Sequence, residues 1–295
     1  MLLVMDVGNT NTVLGLYRLA GGGEPTSENP HAGHPDRHPD RGPAELVANW
    51  RITTPAKQTV DEFGVLLRNL FGLRGLEIDV VDGIAISSVV PPLDSTLRQV
   101  CEVYFGVKPL FIEPGVKTGL PVLTDNPTEV GADRIVNCVA AFERFGGPTI
   151  VVDMGTATTF DVISKKGEFM GGAIAPGLGI SADALFARAA RLPRISVKKP
   201  LKVIGTGTVD NIQIGLYYGY IGLVDGILER MIVETGPETK TVATGGLAKL
   251  IAEGSKYIGA VDEMLTLTGL RIVYERNLDR HRKRGAVAEN KQSRF

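Results

Sequence analysis

Two stretches of the chain share one pattern of apolar and polar positions. In Leu2–Tyr17 and again in Thr149–Ile163, an apolar run ends at an aspartate, and a short segment rich in Gly, Asn and Thr follows. Apolar residues then resume in alternation with polar ones. A β-rich run interrupted by Gly and small polar residues predicts a strand, a tight turn and a second strand.

An ungapped alignment of the two stretches pairs Asp6 with Asp153. It then matches the turn positions in order: Gly8 with Gly155, Asn9 with Thr156, Asn11 with Thr158 and Thr12 with Thr159. The pattern therefore predicts the same β-hairpin twice, as a duplicated domain would contain it.

Further strands and helices follow each hairpin. Within Asp61–Leu73, apolar residues recur at the spacing of one helix face. Shorter runs predict the other elements of the first half: strands at Trp50–Thr53, Gly83–Val90 and Val107–Ile112, and a helix at Leu93–Tyr104. In the second half they predict strands at Glu168–Ile174 and Thr241–Gly245, and helices at about 179–192 and at Asn211–Glu234. Strands followed by alternating helices and strands indicate an α/β fold.

The helix predicted at Asn211–Glu234 carries small residues along one face. Its glycines are spaced three or four residues apart, at Gly215, Gly219, Gly222 and Gly226. Each glycine weakens a helix by up to about 1 kcal/mol. Four on one face therefore predict close packing, either against another helix or against another subunit.

Two segments have a composition that does not favour a packed core. Residues 20–43 are rich in Pro, Gly, Asp and Arg and contain His31, His34 and His38. This composition predicts an expanded hairpin loop, and a histidine metal site is a less favoured alternative because no apolar residue braces the ligands. Residues 279–295 are polar and basic, and they are predicted to form a disordered tail rather than a nucleic-acid arm.

Composition excludes some classes of function and favours one compartment. The 295 residues suffice for two domains, and the formal net charge of −1 provides no electrostatic basis for binding nucleic acid or a membrane surface. Apolar runs are too short to span a bilayer, and the first residues lack the pattern of a signal peptide. The two cysteines, Cys101 and Cys138, lie in amphipathic patterns and are predicted to be buried thiols. We expect a cytoplasmic protein.

The turn of each hairpin has the chemistry of a phosphate site. Glycine permits close approach of the backbone, and Thr hydroxyls and backbone N–H groups can donate to phosphate oxygens. Asp6 or Asp153 could hold a metal ion or its water shell. A plain hairpin with a polar tip is the alternative for either turn alone. Neither turn matches a P-loop or a dinucleotide-binding motif. A pair of such hairpins in a duplicated domain resembles the actin-like, hexokinase-like and acetate-kinase-like phosphotransferases.

A third element, Asn126–Ala141, lies between the two halves and reads NPTEVGADRIVNCVAA. It predicts a turn and then a helix with Asp133 and Arg134 in its first turn, where unpaired N–H groups favour anions. Arg134 offers a planar fork for a carboxylate, and Asp133 could accept a proton from a hydroxyl. In the alternative interpretation, Asp133 only stabilises the helix dipole and Arg134 is exposed.

Five motifs together resemble one family, the type III pantothenate kinases. They are DVGNTNT at 6–12, EVGADR at 129–134, DMGTATT at 153–159, GGAIAPG at 171–177 and ATGG at 243–246. The resemblance runs from Leu2 to about Leu278, apart from residues 20–43. It implies a duplicated actin-like (ribonuclease H-like) α/β fold with a cleft between two halves, at residues 1–118 and 119–278.

The resemblance also implies roles for the hairpin residues. The first phosphate loop would be Asp6, Val7, Gly8, Asn9, Thr10, Asn11, Thr12 and Val13, with Asp6 near Mg²⁺ and in indirect contact with it. Thr156 would contact ATP, and Asp153 would bind an activating monovalent cation, K⁺ or NH₄⁺. The ATGG turn would lie beside the adenosine.

The acceptor site follows from the same resemblance. Pantothenate would be bound by Gly131, Ala132, Asp133 and Arg134, with Asp133 as the proton acceptor and Arg134 near the carboxylate. Thr208 would reach the substrate from the other subunit of a homodimer. Two positions depart from the family pattern. Thr124 stands where a Tyr substrate contact is usual, and Thr206-Gly207 replaces Lys-Asn.

The predicted function is ATP-dependent phosphorylation of pantothenate, the entry step to coenzyme A. One alternative is a kinase of the same superfamily with another small hydroxy-acid or sugar acceptor. The other is a non-catalytic, nucleotide-binding regulatory protein. Asp6, Asp133 and Asp153 favour an enzyme, because a sensor needs no base at residue 133.

Overall fold

The computed structural model describes residues 1–19, 44–55, 57–189 and 191–292, with side chains as far as residue 278. It divides into two compact units, and the second begins at Glu113. The sequence placed this boundary a few residues later, after residue 118. The predicted loop at 20–43, with its three histidines, lies outside the described residues.

The first unit is built on a five-stranded sheet. Its strands and helices are β1 Leu2–Val7, β2 Asn11–Arg18, β3 Glu45–Thr53, α1 Val60–Gly72, β4 Gly83–Ser88, α2 Pro91–Phe105 and β5 Leu110–Phe111. The spatial order is β3-β2-β1-β4-β5. Strands β1, β2 and β3 pair antiparallel, whereas β4 lies parallel to both β1 and β5.

The second unit also contains a five-stranded sheet. Its elements are α3 Ala132–Phe145, β6 Thr149–Met154, β7 Ala157–Ile163, β8 Phe169–Pro176, α4 Leu178–Arg188, α5 Thr208–Thr235, β9 Lys240–Thr244, α6 Ala248–Ala252, β10 Ala260–Val261 and α7 Leu265–Gln292. The spatial order is β10-β9-β6-β7-β8. Strand β6 pairs antiparallel with β7 and parallel with β9.

The two sheets have the same topology. In each one the first strand is central, the second and third follow on one side, and the fourth and fifth lie parallel on the other side. Strand β1 therefore corresponds to β6, and β2 corresponds to β7. The predicted duplicated α/β fold is confirmed.

Burial on both faces explains why the central strands hold the hairpins firmly. Residues 2–5 of β1 and 149–152 of β6 are fully buried. In the first unit α1 covers the sheet with Phe63, Leu67 and Phe71. A capping box starts α1, because Thr59 accepts from the Glu62 N–H at 3.2 Å and Glu62 accepts from the Thr59 N–H at 2.9 Å. Burying a side chain such as Leu67 stabilises the fold by roughly 1.5–3 kcal/mol.

In the second unit, α5 packs on the sheet and α7 packs on α3, the helix that carries GADR. Helix α5 packs Tyr217, Val224 and Leu228 onto the sheet. Helix α7 crosses α3 so closely that a Cβ on Gly269 would lie 2.0 Å from the carbonyl oxygen of Val136. This contact allows only glycine at residue 269, and it holds α3 in place.

The glycine face of α5 is not covered within the part of the chain that the structure describes. A Cβ on Gly215, Gly219 or Gly222 would meet no atom within 4 Å. The sequence predicted that this face packs against another helix or another subunit. Among the described residues, no helix of the same chain packs against it.

Three further observations bear on the sequence predictions. Both cysteines are free and buried, as predicted. No helix among the described residues combines the length and the apolar character needed to cross a bilayer. A disordered tail was predicted from residue 279, whereas the backbone of α7 stays helical to Gln292. This segment is rich in Arg, Lys and Ala, which have high helix propensity even without an apolar face.

Candidate active site

The first hairpin turn joins β1 to β2 and holds the predicted phosphate loop, from Asp6 to Val13. The Gly8 N–H donates to the Asn11 carbonyl at 3.0 Å, and the Thr10 carbonyl accepts from the Thr54 N–H at 2.9 Å. A Cβ on Gly8 would lie 3.1 Å from the Asn11 oxygen, so this turn favours glycine. Asn9 and Thr10 are exposed at its tip. The structure thus brings these predicted residues into one turn.

Two residues of this loop do not face solvent. Val7 is buried in β1, so only its backbone is available to a ligand at the loop. Thr12 is also buried, and its hydroxyl lies 2.9 Å from that of Thr54. Its side chain therefore braces the hairpin against the end of β3.

The second turn joins β6 to β7 and is one residue shorter. Asp6 lies opposite Val13, whereas Asp153 lies opposite Thr159. The structural equivalent of Thr12 is therefore Thr158, which is likewise buried and hydrogen-bonded to the Tyr220 hydroxyl. The ungapped alignment, which matched Thr12 with Thr159, is wrong after the turn. It failed because the first turn contains one extra residue.

Glycines from two other motifs surround the second turn. Gly245 in ATGG has φ of 93°, and a Cβ there would lie 2.8 Å from Asp153 Oδ1. Gly177 at the end of GGAIAPG donates its N–H to the Thr156 carbonyl at 3.1 Å, and a Cβ there would lie 2.3 Å from that same oxygen. Three predicted motifs therefore converge on Asp153–Thr156, and Gly155 and Thr156 remain exposed.

Helix α3 reaches Asp153 through Asn137. This side chain is fully buried, and its Nδ2 donates to Asp153 Oδ2 at 2.9 Å. Its Oδ1 is buried and has no hydrogen-bond partner among the described residues. The sequence pattern did not single out Asn137. One sequence feature could have identified it: a polar amide side chain stands between Val136 and Cys138, in a helix face that is otherwise apolar.

Arg134 lies one turn before Asn137 and reaches Asp161 of β7. Its Nε and Nη2 lie 2.7 and 2.5 Å from Asp161 Oδ1, and Thr159 Oγ1 donates to Asp161 Oδ2 at 3.0 Å. Burial raises the pKa of Asp161 to about 6, although the Arg134 charge and the hydrogen bonds to the carboxylate lower it. The alternative interpretation of an exposed Arg134 is wrong, since its side chain is only 16% exposed. Asp161 was not found from the sequence.

Asp133 is half-buried in the first turn of α3, which follows the N-cap Gly131 and Ala132. One of its carboxylate oxygens accepts the Arg134 backbone N–H at 2.8 Å. Burial raises its pKa above the ordinary aspartate value, although this hydrogen bond and the Arg134 charge lower it. A carboxylate with a raised pKa is a better proton acceptor near neutral pH.

Thr124 lies in an extended segment beside β8. The Leu123 N–H donates to the Phe169 carbonyl at 2.9 Å, and the Phe169 N–H donates to the Pro121 carbonyl at 2.8 Å. Arg134 lies over the ring of Phe169, 5.4 Å from its centre. The structure therefore places Thr124 and Arg134 in the same neighbourhood. The Oγ1 of Thr124 is buried without a hydrogen-bond partner among the described residues.

Thr208 is separate from this neighbourhood. It is the first residue of α5, and it is exposed. Among the described residues, no hydrogen bond joins it to Asp133 or Arg134.

The described residues contain no preformed cluster of metal ligands. No group of three or more His, Cys, Asp or Glu side chains is arranged there to hold a metal ion. A single carboxylate such as Asp6 suits Mg²⁺, which commonly keeps its waters and binds substrate phosphates.

Comparison with known proteins identifies the family of this chain. A family model described as type III pantothenate kinase matches residues 2–230. A type III pantothenate kinase of Koribacter versatilis is 60% identical over 96% of this chain and 98% of its own length. One of Acidobacterium capsulatum is 62% identical over 93% of this chain and 94% of its own length.

A solved structure supports the fold. A putative 2-dehydro-3-deoxygalactonokinase from Sinorhizobium meliloti superposes with a TM-score of 0.55 at 12% identity, covering 92% of this chain and 95% of that one. The actin-like fold is thereby confirmed. From the match over residues 2–230 and the relatives above, the chain belongs to the type III pantothenate kinase family.

Proposed function

We propose that the protein transfers the γ-phosphoryl group of ATP to the primary hydroxyl of pantothenate, the first step of coenzyme A biosynthesis. One observation carries the proposal beyond family membership. Helix α3 presents Asp133, with its raised pKa, and Arg134 one turn before Asn137, which is hydrogen-bonded to Asp153 of the second phosphate turn. A proton acceptor and a phosphate turn are thus coupled through one rigid element.

In this proposal Asp133 accepts the proton of the pantothenate hydroxyl, and Arg134 pairs with the pantothenate carboxylate. Thr124, Gly131 and Ala132 complete the acceptor site. Catalysis of phosphoryl transfer is mostly positioning and charge stabilisation, so these residues need little covalent chemistry of their own. The Thr124 hydroxyl is buried without a hydrogen-bond partner among the described residues, which supports an acceptor that supplies the missing hydrogen bond.

The phosphates of ATP would be bound by the turn residues of the two hairpins. Asn9, Thr10 and Thr156 are exposed at the turns, and the N–H groups of small residues there can donate to anions. Asp6 would hold the water shell of Mg²⁺, and the ion would offset the charge of the β- and γ-phosphates when bound.

A monovalent cation, K⁺ or NH₄⁺, would be held by Asp153. The buried Oδ1 of Asn137 fits this role, because it is an oxygen without a hydrogen-bond partner in the described residues, beside a carboxylate. A bound cation supplies positive charge that offsets the repulsion between Asp153 and a polyphosphate.

A homodimer would cover the open glycine face of α5. The segment that leads into this helix and the first turn of the helix expose large apolar side chains: Leu201, Val203, Ile204 and Val209. An apolar patch of this kind marks an interaction surface. A second copy of the chain packed there would account for Thr208 as a substrate contact donated to the other subunit.

The proposal is tested by a coupled assay of ADP formation with purified full-length chain, in buffers with and without K⁺. We expect ADP formation to require pantothenate, to match the phosphopantothenate measured by mass spectrometry, and to require K⁺ or NH₄⁺. ADP formation that is independent of pantothenate, or that appears only with a sugar or another hydroxy acid, would overturn the acceptor assignment. Full activity in Tris buffer alone would overturn the cation assignment.

A further inference from the structure

Asp161 is a buried charged group that the proposed reaction does not use. It lies in β7, it has no exposed surface, and it follows the second phosphate turn by only a few residues. A buried carboxylate is costly unless it is paired and hydrogen-bonded. Both of its oxygens are occupied, Oδ1 by Arg134 and Oδ2 by Thr159.

The geometry of the ion pair leaves part of Arg134 available. A guanidinium has five N–H groups, and four of them form two edges, each of which can bind a carboxylate in a bidentate manner. Asp161 takes the edge formed by Nε and Nη2. The edge formed by Nη1 and the second N–H of Nη2 remains for another carboxylate.

Neighbouring groups restrict the guanidinium further. The ring of Phe169 lies against one face, with its centre 5.4 Å from Arg134 Cζ. The Thr159 hydroxyl fixes the second oxygen of Asp161, so the carboxylate cannot rotate without losing a hydrogen bond. Arg134 is therefore held by contacts on one edge and on one face.

We propose that Asp161 is a positioning residue for acceptor recognition, holding Arg134 by one edge so that its other edge pairs with the acceptor's carboxylate. This inference rests on the proposed function. Two carboxylates, one resident and one from the substrate, then share a single guanidinium. Asp161 also supplies the counter-charge that keeps Arg134 from being a buried, unpaired cation before the substrate arrives.

The pair could instead be a purely structural contact between α3 and β7. The two roles differ in what they do to selectivity. A structural contact affects stability and all substrates together, whereas a positioning contact affects only the substrate that carries the carboxylate. The discriminating ligand is pantothenol, in which an alcohol replaces the carboxylate and the phosphorylated hydroxyl is unchanged.

The test compares D161N with the wild type, using the full chain and both acceptors. Asn keeps the size of the side chain and an acceptor oxygen but removes the charge. We expect the KM for pantothenate to rise about tenfold, with the KM for pantothenol and the KM for ATP changing less than about threefold. The kcat for pantothenate should stay within the same range, because Asp161 touches no reacting atom.

A second variant protects the test against misfolding. T159V removes only the hydroxyl that donates to Asp161 Oδ2 and keeps the charge, and it should move the pantothenate KM in the same direction by a smaller factor. E275Q is the matched control, since Glu275 forms a partly exposed ion pair with Arg271 at 2.8 Å within α7. It should leave both acceptors unaffected. Melting temperature and circular dichroism are recorded for every variant.

The outcomes separate the inference from the proposed function. Folded D161N with unchanged or lower pantothenate KM, or with equal losses for both acceptors, would overturn the positioning role. If D161N does not fold and T159V leaves the ratio of the two KM values unchanged, the inference is likewise overturned. A wild type that phosphorylates neither acceptor would overturn the proposed function, and this inference with it.

Discussion

At the scale of single residues, α3 performs three tasks with side chains spaced along one face. Asp133 and Arg134 lie in its first turn, and Asn137 follows one turn later. Arg134 contacts β7 through Asp161, and Asn137 contacts β6 through Asp153. The acceptor side and the phosphate side of the proposed reaction are therefore linked by hydrogen bonds at 2.7–2.9 Å within one unit.

The first prediction concerns the general base. D133N should lower kcat by about 10²–10⁴-fold while ATP binding persists, because it removes the proton acceptor and keeps the shape. In the wild type, kcat/KM should fall as the pH drops through the raised pKa of Asp133, since only the ionised form accepts a proton. The acid limb should therefore lie above pH 3.8, the ordinary aspartate value. Near-wild-type turnover of folded D133N would contradict the role.

The same substitution has a stability signature with a defined sign. Burial raises the pKa of Asp133 in the folded state, so the folded state holds its proton more tightly than the unfolded state does. The ionised group therefore costs stability at neutral pH, and this cost disappears as the pH falls below the unfolded pKa. D133N should melt at a higher temperature than wild type at pH 7. This difference should shrink toward pH 4, and thermal scans across that range would measure it.

The second prediction concerns Thr124, where the family usually has Tyr. A buried hydroxyl without a partner costs stability, so T124V should raise the melting temperature by an amount equivalent to about 1–2 kcal/mol. If the hydroxyl serves pantothenate, T124V should also raise the KM for pantothenate about 5–30-fold and leave the KM for ATP unchanged. Higher stability without a change in either KM would show that the hydroxyl faces no substrate.

At the scale of elements, the hairpins show what periodicity can and cannot predict. Alternation and turn residues identified both hairpins. Successive side chains of a strand point to opposite faces, so burial of one face leaves an alternating pattern in the sequence. The register was lost at the turn, because an extra residue between Val7 and Thr12 leaves the local pattern intact while shifting every later match. Only the sheet, which buries Thr12 and Thr158 alike, defines the equivalence.

The sequence likewise identified the part of the candidate site that local motifs encode, and it missed the residues whose roles depend on tertiary packing. Asp133, Arg134 and Asp153 belong to local motifs, so sequence alone singled them out. Asn137 and Asp161 act through partners that lie far away in the chain, and each sits among apolar residues that resemble ordinary core positions. Their roles depend on how α3 packs across β6 and β7, which no local spacing encodes.

At the scale of the whole molecule, the duplicated sheet explains why one chain has two similar hairpin turns, but the length of α5 breaks the symmetry. Like α1 in the first unit, it lies between the third and fourth strands of its sheet, but it is 28 residues long, whereas α1 has 13. Helix α5 packs one face on its own sheet and leaves its glycine face open within the described residues. The exposed side chains just before it, such as Ile204 at 81% exposure, extend this surface. A helix that is half buried and half open in this way is suited to meet a second copy of the chain.

The last prediction tests this assembly through Gly219. A Cβ there would meet nothing within 4 Å among the described residues, so G219L should fold normally and should even gain up to about 1 kcal/mol of helix stability. If the glycine face packs closely against a partner, the same side chain should split the dimer, and sedimentation velocity should show the mass falling to that of one chain. The KM for pantothenate should rise as well, because Thr208 of the partner would be lost. G72L, at an equally open glycine in α1, is the matched control and should change neither mass nor KM. A G219L protein that remains dimeric would place the subunit contact elsewhere on the molecule.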